Sequence, residues 1–230
     1  MTLPLGRREP ATWEHVEKYP LTVGSLPAKP VPVVIGVNWY STFDVPTKDT
    51  QGKYWIGVDS HRIGSVRGGH CVCLKPASVN DGRGWYRYYD QGIEGACVGF
   101  GASRMMSLLN RVRYDARWLY LEAKATDGFP DGPESSGTSV SAALDILRTK
   151  GHMRIKRSTG LVPDLTQGIA ANRWATTSEE VAATLGTPDQ NYVEILNSWG
   201  ANYPRIVRMP VETLQRLLDE GGEAGIVTDR

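Results

Sequence analysis

Residues 91–100 read Gln-Gly-Ile-Glu-Gly-Ala-Cys-Val-Gly-Phe, a run of small residues that leads into an apolar stretch. From Cys97 to Asn110 apolar side chains recur at close to helical spacing, so the pattern predicts a helix that begins at the cysteine. The unpaired backbone N–H groups and the dipole at a helix start favour a thiolate. We therefore expect Cys97 to be a nucleophile with a depressed pKa. The alternative is a small, buried apolar residue behind a glycine turn.

Gln91 lies six residues before Cys97, across the glycine-rich turn. Its side-chain amide could donate one hydrogen bond to an oxyanion, and the backbone N–H of Cys97 could donate a second. The stretch is therefore a candidate for acyl-transfer chemistry.

A candidate base lies upstream, in a strand predicted over residues 66–74, Val-Arg-Gly-Gly-His-Cys-Val-Cys-Leu. Strand alternation places His70 on the same side as Val72 and Leu74. The two preceding glycines let a substrate or another backbone come close. A strand histidine taken alone is more often a core imidazole, and that alternative stays open.

Asn197-Ser198-Trp199-Gly200 closes another predicted strand. An asparagine there could hydrogen-bond an imidazole, and a tryptophan could cover that bond from water. Taken alone, the run is also compatible with a simple turn at the end of a strand.

Together these segments resemble the papain-like cysteine peptidases, particularly their bacterial and phage branch. The resemblance covers most of residues 31–230 and is carried by residues 32–40, 68–70, 91–100, 137–140, 197–200 and 214–223. It implies a papain-like two-lobe fold, and a site in which the roles are as follows: Cys97 as nucleophile, His70 as general base and acid, Asn197 as orienting residue, Gln91 as oxyanion donor, and Trp199 with Ser198 as supporting residues.

The chain departs from the family pattern in its order. The family has cysteine, histidine, asparagine, whereas here His70 comes 27 residues before Cys97, and Asn197 comes 100 residues after it. A triad is defined by geometry and not by order, so we expect a permuted but complete site. Glu94 and Val98 stand where the family commonly has a cysteine and an aromatic residue. Residues 201–204 lack its second Trp-Gly pair.

The remaining patterns predict an α+β fold. Proline-rich residues 1–30 predict an extended arm, and residues 31–230 a single catalytic domain. Within that domain the resemblance implies a β-barrel-like lobe over about 31–89 plus 190–210, and a helical lobe over about 90–152. The predicted strands are 31–40, 53–58, 66–74, 192–197 and 203–209, and the predicted helices are 97–110, 116–126, one capped by Thr138 or Ser139 and ended by Gly151, one capped by Ser178, and one opened by Pro210.

Composition excludes several classes of function. Lys plus Arg number 26 against 25 for Asp plus Glu, a net charge of +1, which argues against a nucleic-acid partner. The longest apolar stretch is too short to span a bilayer, and residues 1–10 carry no secretory pattern. Three cysteines are an odd number and fit a reducing compartment, so we expect a cytoplasmic protein without a membrane partner.

Rival interpretations of the histidines and cysteines are weaker. His152 would restore the usual family order, but it follows a predicted helix end without the Gly-Gly approach. Residues 70–73, His-Cys-Val-Cys, lack the second half of a zinc site, and alternation turns neighbouring side chains to opposite faces. We expect no metal or other cofactor.

The resemblance therefore implies a cysteine peptidase or amidase that hydrolyses peptide or amide bonds in a polypeptide or peptide substrate. Two alternatives stay open: a thiol-dependent acyltransferase, and a degenerate papain-like module that serves as a phage or bacterial structural or protein-binding domain.

Overall fold

The computed structural model describes residue 27 and residues 29–59, 61–79, 89–127, 136–155 and 167–229. The predicted arm over residues 1–30 lies almost wholly outside these residues. Within them the chain forms a mixed α+β fold with five α-helices and one eight-stranded sheet, which confirms the predicted α+β class. None of the helices in the described segments combines the length and the apolar character needed to cross a bilayer.

The sheet has the strand order β2-β3-β7-β6-β4-β1-β8-β5, and it is mixed because β3 and β7 pair in parallel while the other neighbours are antiparallel. The strands are β1 Val33–Tyr40, β2 Thr47–Lys48, β3 Tyr54–Trp55, β4 Val66–Leu74, β5 Ile169–Ala175, β6 Tyr192–Leu196, β7 Val207–Pro210 and β8 Glu223–Asp229. The helices are α1 Cys97–Asn110, α2 Ala116–Lys124, α3 Val140–Thr149, α4 Ser178–Leu185 and α5 Val211–Asp219.

Helices cover both faces of the sheet. Alternate residues of the central strands point to opposite sides: Val72 packs in the cluster with α4 and α5, whereas Cys71 and Cys73 pack in the cluster with α1, α2 and α3. This two-residue alternation is the one predicted for β4. It places His70 on the side of Val72.

Several predicted elements have the expected bounds. The structure confirms the helix over 97–110, which ends where Arg111 adopts a left-handed φ of 56° and donates its N–H to the Ser107 carbonyl. Ser139 caps α3, since its hydroxyl accepts the Ala142 N–H at 3.1 Å. Gly151 follows α3 with a φ of +75°, the left-handed conformation expected after a helix end.

Other predicted bounds are wrong. Thr177, not Ser178, caps α4, because its hydroxyl accepts the Glu180 N–H. The strand predicted over 53–58 is reduced to Tyr54–Trp55, since Gly57 turns the chain with a φ of +64°. The strand predicted over 203–209 is shortened to Val207–Pro210, after a short 3-10 turn at Gly200–Asn202.

Three strands were not predicted: the two-residue β2 and the longer β5 and β8. β5 is an edge strand that pairs with β8, and its burial does not alternate, so its sequence carries little period-two signal. β8 begins directly after the Gly221-Gly222 turn and pairs with both β1 and β5. Both strands depend on long-range pairing that local patterns do not encode.

Both ends of the segment that carries β1 to β4 lie beside the end of α4. The Val31 N–H donates to the Thr184 carbonyl at 3.0 Å, and the Ala77 N–H donates to the Leu185 carbonyl at 2.8 Å. The two hydrogen bonds bring the start and the finish of this segment to the same place in the fold.

The edge of β4 that faces β6 is only partly paired. β4 pairs with β1 from Leu74 to Val66, but with β6 only at Cys73 and Leu74. Beyond Leu196 the chain leaves the ladder, so the β4 backbone at His70 and Cys71 is not covered by β6. The candidate site lies at this unpaired part of the β4 edge.

Candidate active site

His70 and Asn197 meet through their side chains. The His70 Nε2 atom lies 2.9 Å from the Asn197 Oδ1 atom, and both residues are buried, with 8% and 7% of their surface exposed. His70 comes from β4, and Asn197 is the first residue after β6. The structure therefore brings together two of the predicted site residues, which are 127 positions apart.

The neighbours of Asn197 define the tautomer of His70. The Ser198 backbone N–H donates to the same Asn197 Oδ1 atom at 2.7 Å, so this atom is the carbonyl oxygen and not the amide nitrogen. An oxygen acceptor requires that the proton of a neutral His70 ring be on Nε2. The lone pair is then on Nδ1, which is the ring atom able to accept a proton.

Two indole rings cover the His70–Asn197 bond. The Trp199 ring lies 4.9 Å from the His70 ring at an interplanar angle of 36°, and the Trp39 ring meets the imidazole edge-on at 4.6 Å. Burial lowers the pKa of His70 to about 4, although the Asn197 hydrogen bond and the charge of Asp44 raise it in part. The imidazole is therefore neutral at pH 7.

Cys97 is the first residue of α1 and retains 9% exposure. Its sulfur accepts hydrogen bonds from backbone N–H groups of Cys71, Val98 and Cys97 itself, and these lower its pKa. Burial acts more strongly in the opposite direction, so the pKa of the thiol is raised above its ordinary value. The predicted depression of the Cys97 pKa is therefore wrong, because the sequence shows the helix start but not the loss of water around the sulfur.

The backbone N–H of Cys71 holds the Cys97 sulfur against the strand that carries His70. Cys71 directly follows His70 in β4, at the opening that β6 leaves, and its N–H points to the Cys97 sulfur. Within the described residues, no hydrogen bond joins the sulfur to the His70 ring. The Cys97 thiol and the His70 imidazole are therefore both neutral at rest.

Gln91 joins the same region through its backbone and its side chain. Its N–H donates to the Ser198 carbonyl at 3.0 Å, and the neighbouring Asp90 forms a bridge with Trp199. The Gln91 side-chain nitrogen donates to the Glu94 carbonyl at 3.0 Å, which uses one of its two N–H bonds. The turn that carries Gln91 is thus held against the Asn197–Trp199 segment.

His152, the rival base, lies elsewhere. It is fully buried, its Nδ1 accepts the Met153 N–H at 2.8 Å, and its Nε2 lies 2.8 Å from the Ser103 hydroxyl. Its ring also stacks on Tyr114 at 4.3 Å. Burial lowers the pKa of His152 to about 3. Both ring nitrogens are occupied, so His152 has no lone pair to offer to Cys97.

The His70-Cys71-Val72-Cys73 run does not form a ligand set. His70 lies on one face of the sheet, and the two cysteines pack against the helices on the other face. In the part of the chain that the structure describes, no three His, Cys, Asp or Glu side chains converge as metal ligands do. All three cysteines are free and buried.

The sequence patterns missed four residues around the site: Trp39, Asp44, Arg104 and Tyr203. Arg104 donates to the Asn197 backbone carbonyl at 3.4 Å, and the Tyr203 hydroxyl donates to the Phe43 carbonyl at 2.9 Å. Alternation along β1 could have placed Trp39 with the core-facing residues of that strand. Its pairing opposite Gly68, close to His70, depends on the β1–β4 register.

Comparison of the chain with protein-family models, with curated proteins and with solved structures finds no match.

Proposed function

We propose that the protein is a papain-like cysteine peptidase or amidase that hydrolyses peptide or amide bonds in a polypeptide substrate. The observation that carries this proposal is the buried His70–Asn197 hydrogen bond, which leaves Nδ1 as the proton acceptor. The Cys97 sulfur accepts the backbone N–H of Cys71, the residue that follows His70 in β4. On this proposal α1 to α3 form the helical lobe, and the substrate lies between that lobe and the β4 edge.

In the first half of the reaction, the Cys97 sulfur attacks the carbonyl carbon of the substrate and its proton moves to His70 Nδ1. The free N–H bond of the Gln91 amide and the Cys97 backbone N–H hold the oxyanion. The C–N bond then breaks, and the imidazolium protonates the leaving amine. The product is a thioester on Cys97.

In the second half, a water molecule attacks the thioester carbonyl while His70 takes its proton. The C–S bond breaks, and the proton returns to the sulfur as the acid product leaves. Asn197 keeps the ring in the Nε2–H tautomer through both halves, and Trp199 keeps water from that hydrogen bond. Residues 197–199 thus act on the imidazole and not on the substrate.

The raised pKa of Cys97 makes this reaction one of general-base catalysis from a neutral pair, because the sulfur loses its proton during attack. The same observation favours a second candidate function, a degenerate module that binds protein without hydrolysis. Transfer of the acyl group to an amine or thiol acceptor in place of water is the remaining alternative.

Hydrolysis of an unfolded polypeptide and of fluorogenic peptide amides tests the proposal. We expect turnover in the wild type and none in Cys97→Ala. Trapping with iodoacetamide should label Cys97 in the folded protein, faster in the wild type than in His70→Ala, because His70 accepts the thiol proton. Cys73→Ala is the matched control and should retain turnover.

Two other outcomes would each support one of the alternative functions. Binding of polypeptide without turnover, at an alkylation rate that His70→Ala leaves unchanged, would support the degenerate module. A product that carries an added amine or thiol in preference to water would support the acyltransferase.

A further inference from the structure

A carboxylate lies behind one of the two indoles that contact His70. Asp44 ends the short 3-10 turn Ser41–Asp44 that follows β1. Its Oδ1 accepts the Trp39 indole N–H at 3.0 Å, and its Oδ2 forms an ion pair with Arg67. The Asp44 side chain is 24% exposed, so water reaches this carboxylate only in part.

The turn that carries Asp44 is fixed to the site from two directions. The Phe43 carbonyl accepts the hydroxyl of Tyr203, which is itself beside Asn197. The Phe43 ring packs edge-on against Trp39, with a centroid distance of 5.2 Å. Asp44 and Trp39 therefore form one rigid unit with the residues that hold the imidazole.

The direct hydrogen-bond partner of the imidazole carries no negative charge. Asn197 is neutral, yet the proposed reaction converts His70 to an imidazolium in each half. The charge of Asp44 favours the protonated ring and raises the pKa of His70 against the larger effect of burial. Arg67, which pairs with Asp44, reduces that charge from the solvent side.

We propose that Asp44 is a positioning residue of this site: it holds Trp39 against the His70 ring, and its carboxylate stabilises the imidazolium across the indole. This inference rests on the proposed function, since it assigns a part in the same reaction. Asp44 touches neither substrate nor sulfur, and it acts through Trp39 and through its field.

Other charged and titratable groups lie in the same region. Arg104 on α1 donates to the Asn197 carbonyl, Tyr203 hydrogen-bonds Asn197, Arg67 on β4 pairs with Asp44, and the Cys97 sulfur at the start of α1 accepts the Cys71 N–H. The test must therefore separate Asp44 from these groups. Removal of the negative charge in one variant and of the positive charge of the same ion pair in another achieves that separation, because the two changes act on His70 in opposite directions.

The first experiment measures kcat and KM against pH for Asp44→Asn and Arg67→Gln. Asparagine keeps an oxygen that accepts the Trp39 N–H but removes the charge. We expect the acid limb of kcat/KM to move to lower pH by about half a unit in Asp44→Asn and to higher pH in Arg67→Gln, the size of one partly screened charge. In Asp44→Asn, kcat should fall several-fold with KM unchanged.

A double-mutant cycle with Trp39→Phe tests the positioning part. Phenylalanine keeps a ring but removes the N–H donor. The single variants are Trp39→Phe and Asp44→Leu, and the double variant combines them. If Asp44 acts through the indole, the fold-loss in kcat of the double variant should be about that of the more damaging single variant. Independent, multiplicative losses would overturn the positioning role.

A readout without turnover separates this inference from the proposed function. The 15N resonances of the His70 ring report its tautomer and its titration in any folded variant. If the wild type hydrolyses nothing, the proposed function fails, while a lowered His70 titration in Asp44→Asn still supports the link to Asp44. Equal titrations of His70 in wild type, Asp44→Asn and Arg67→Gln would overturn the link to Asp44. If Asp44→Asn does not fold, Arg67→Gln still provides the test, because the Arg67 side chain is 61% exposed.

Discussion

His70 and His152 are both buried imidazoles with a lowered pKa, yet their surroundings differ in the one respect that decides chemistry. At His152 the Met153 N–H and the Ser103 hydroxyl occupy both ring nitrogens, and Tyr114 stacks on the ring. At His70 the hydrogen bonds among the described residues occupy Nε2 alone, and β6 no longer pairs with β4 at this position. Burial and pKa are similar at the two sites, so neither distinguishes a base from a structural histidine.

The two sites also differ in how their hydrogen bonds arise. The Nδ1 partner of His152 is the next residue in the chain, whereas the partner of His70 is 127 positions away. The Nδ1 hydrogen bond of His152 is therefore local in the chain. The His70 arrangement requires that β4 and the end of β6 be neighbours, so it depends on the whole sheet.

The largest expected effect that separates the two sites is on turnover. His70→Ala should lower kcat by about 10²–10⁴-fold, the range for loss of a general base. His152→Gln should change kcat by less than about tenfold, because the residue touches no group in the proposed reaction. Steady-state rates on a peptide amide measure both, with circular dichroism to verify the fold. Loss of turnover in His152→Gln alone would assign the base to His152 and reverse the comparison.

Stability should show the opposite order. His152→Ala leaves a cavity beside Tyr114 and removes the partner of the buried Ser103 hydroxyl, so we expect a loss of about 2–4 kcal/mol in the free energy of unfolding. His70→Ala should cost about 1–2 kcal/mol, because its ring borders the opening and makes one hydrogen bond. Urea unfolding at pH 7 gives both values. Equal costs would mean that the His70 ring is as much a part of the core as His152.

The third expected effect is the pH dependence of stability. Both folded pKa values, about 4 for His70 and about 3 for His152, lie below the unfolded value of 6.5. The unfolded chain therefore binds more protons below pH 6.5, and stability falls as the pH is lowered toward 4, by up to about 1.4 kcal/mol per pH unit for each imidazole. His152→Phe should remove one of the two contributions. A slope between pH 4 and 6.5 that is identical in wild type and variant would contradict the buried, neutral state of His152.

Local patterns were sufficient for much of the secondary structure. Helix α1 began and ended where apolar spacing and the cysteine position predicted, and β4 kept its predicted length and alternation. These elements carry their own signals in each turn or pair of residues. The pairing of His70 with Asn197 was also anticipated, but through the family resemblance of short motifs and not through spacing.

The remaining features depend on contacts across the fold. The pKa of Cys97 depends on how much water reaches the sulfur, which the helix start alone does not determine. Trp39 and Asp44 reach His70 only because β1 pairs with β4 in one particular register. Strands β5 and β8 exist through pairing with each other and with β1. No window of neighbouring residues contains this information.

The hydrogen bonds at the end of α4 have a consequence for evolution and for engineering. Val31 and Ala77 both anchor beside Thr184 and Leu185, just before the loop that leads into β6. A splice that detached residues 31–77 from the front of the chain and inserted them in that loop would leave every strand where it is. His70 would then lie between Cys97 and Asn197 in the chain, which is the order that the papain-like enzymes have for their cysteine, histidine and asparagine.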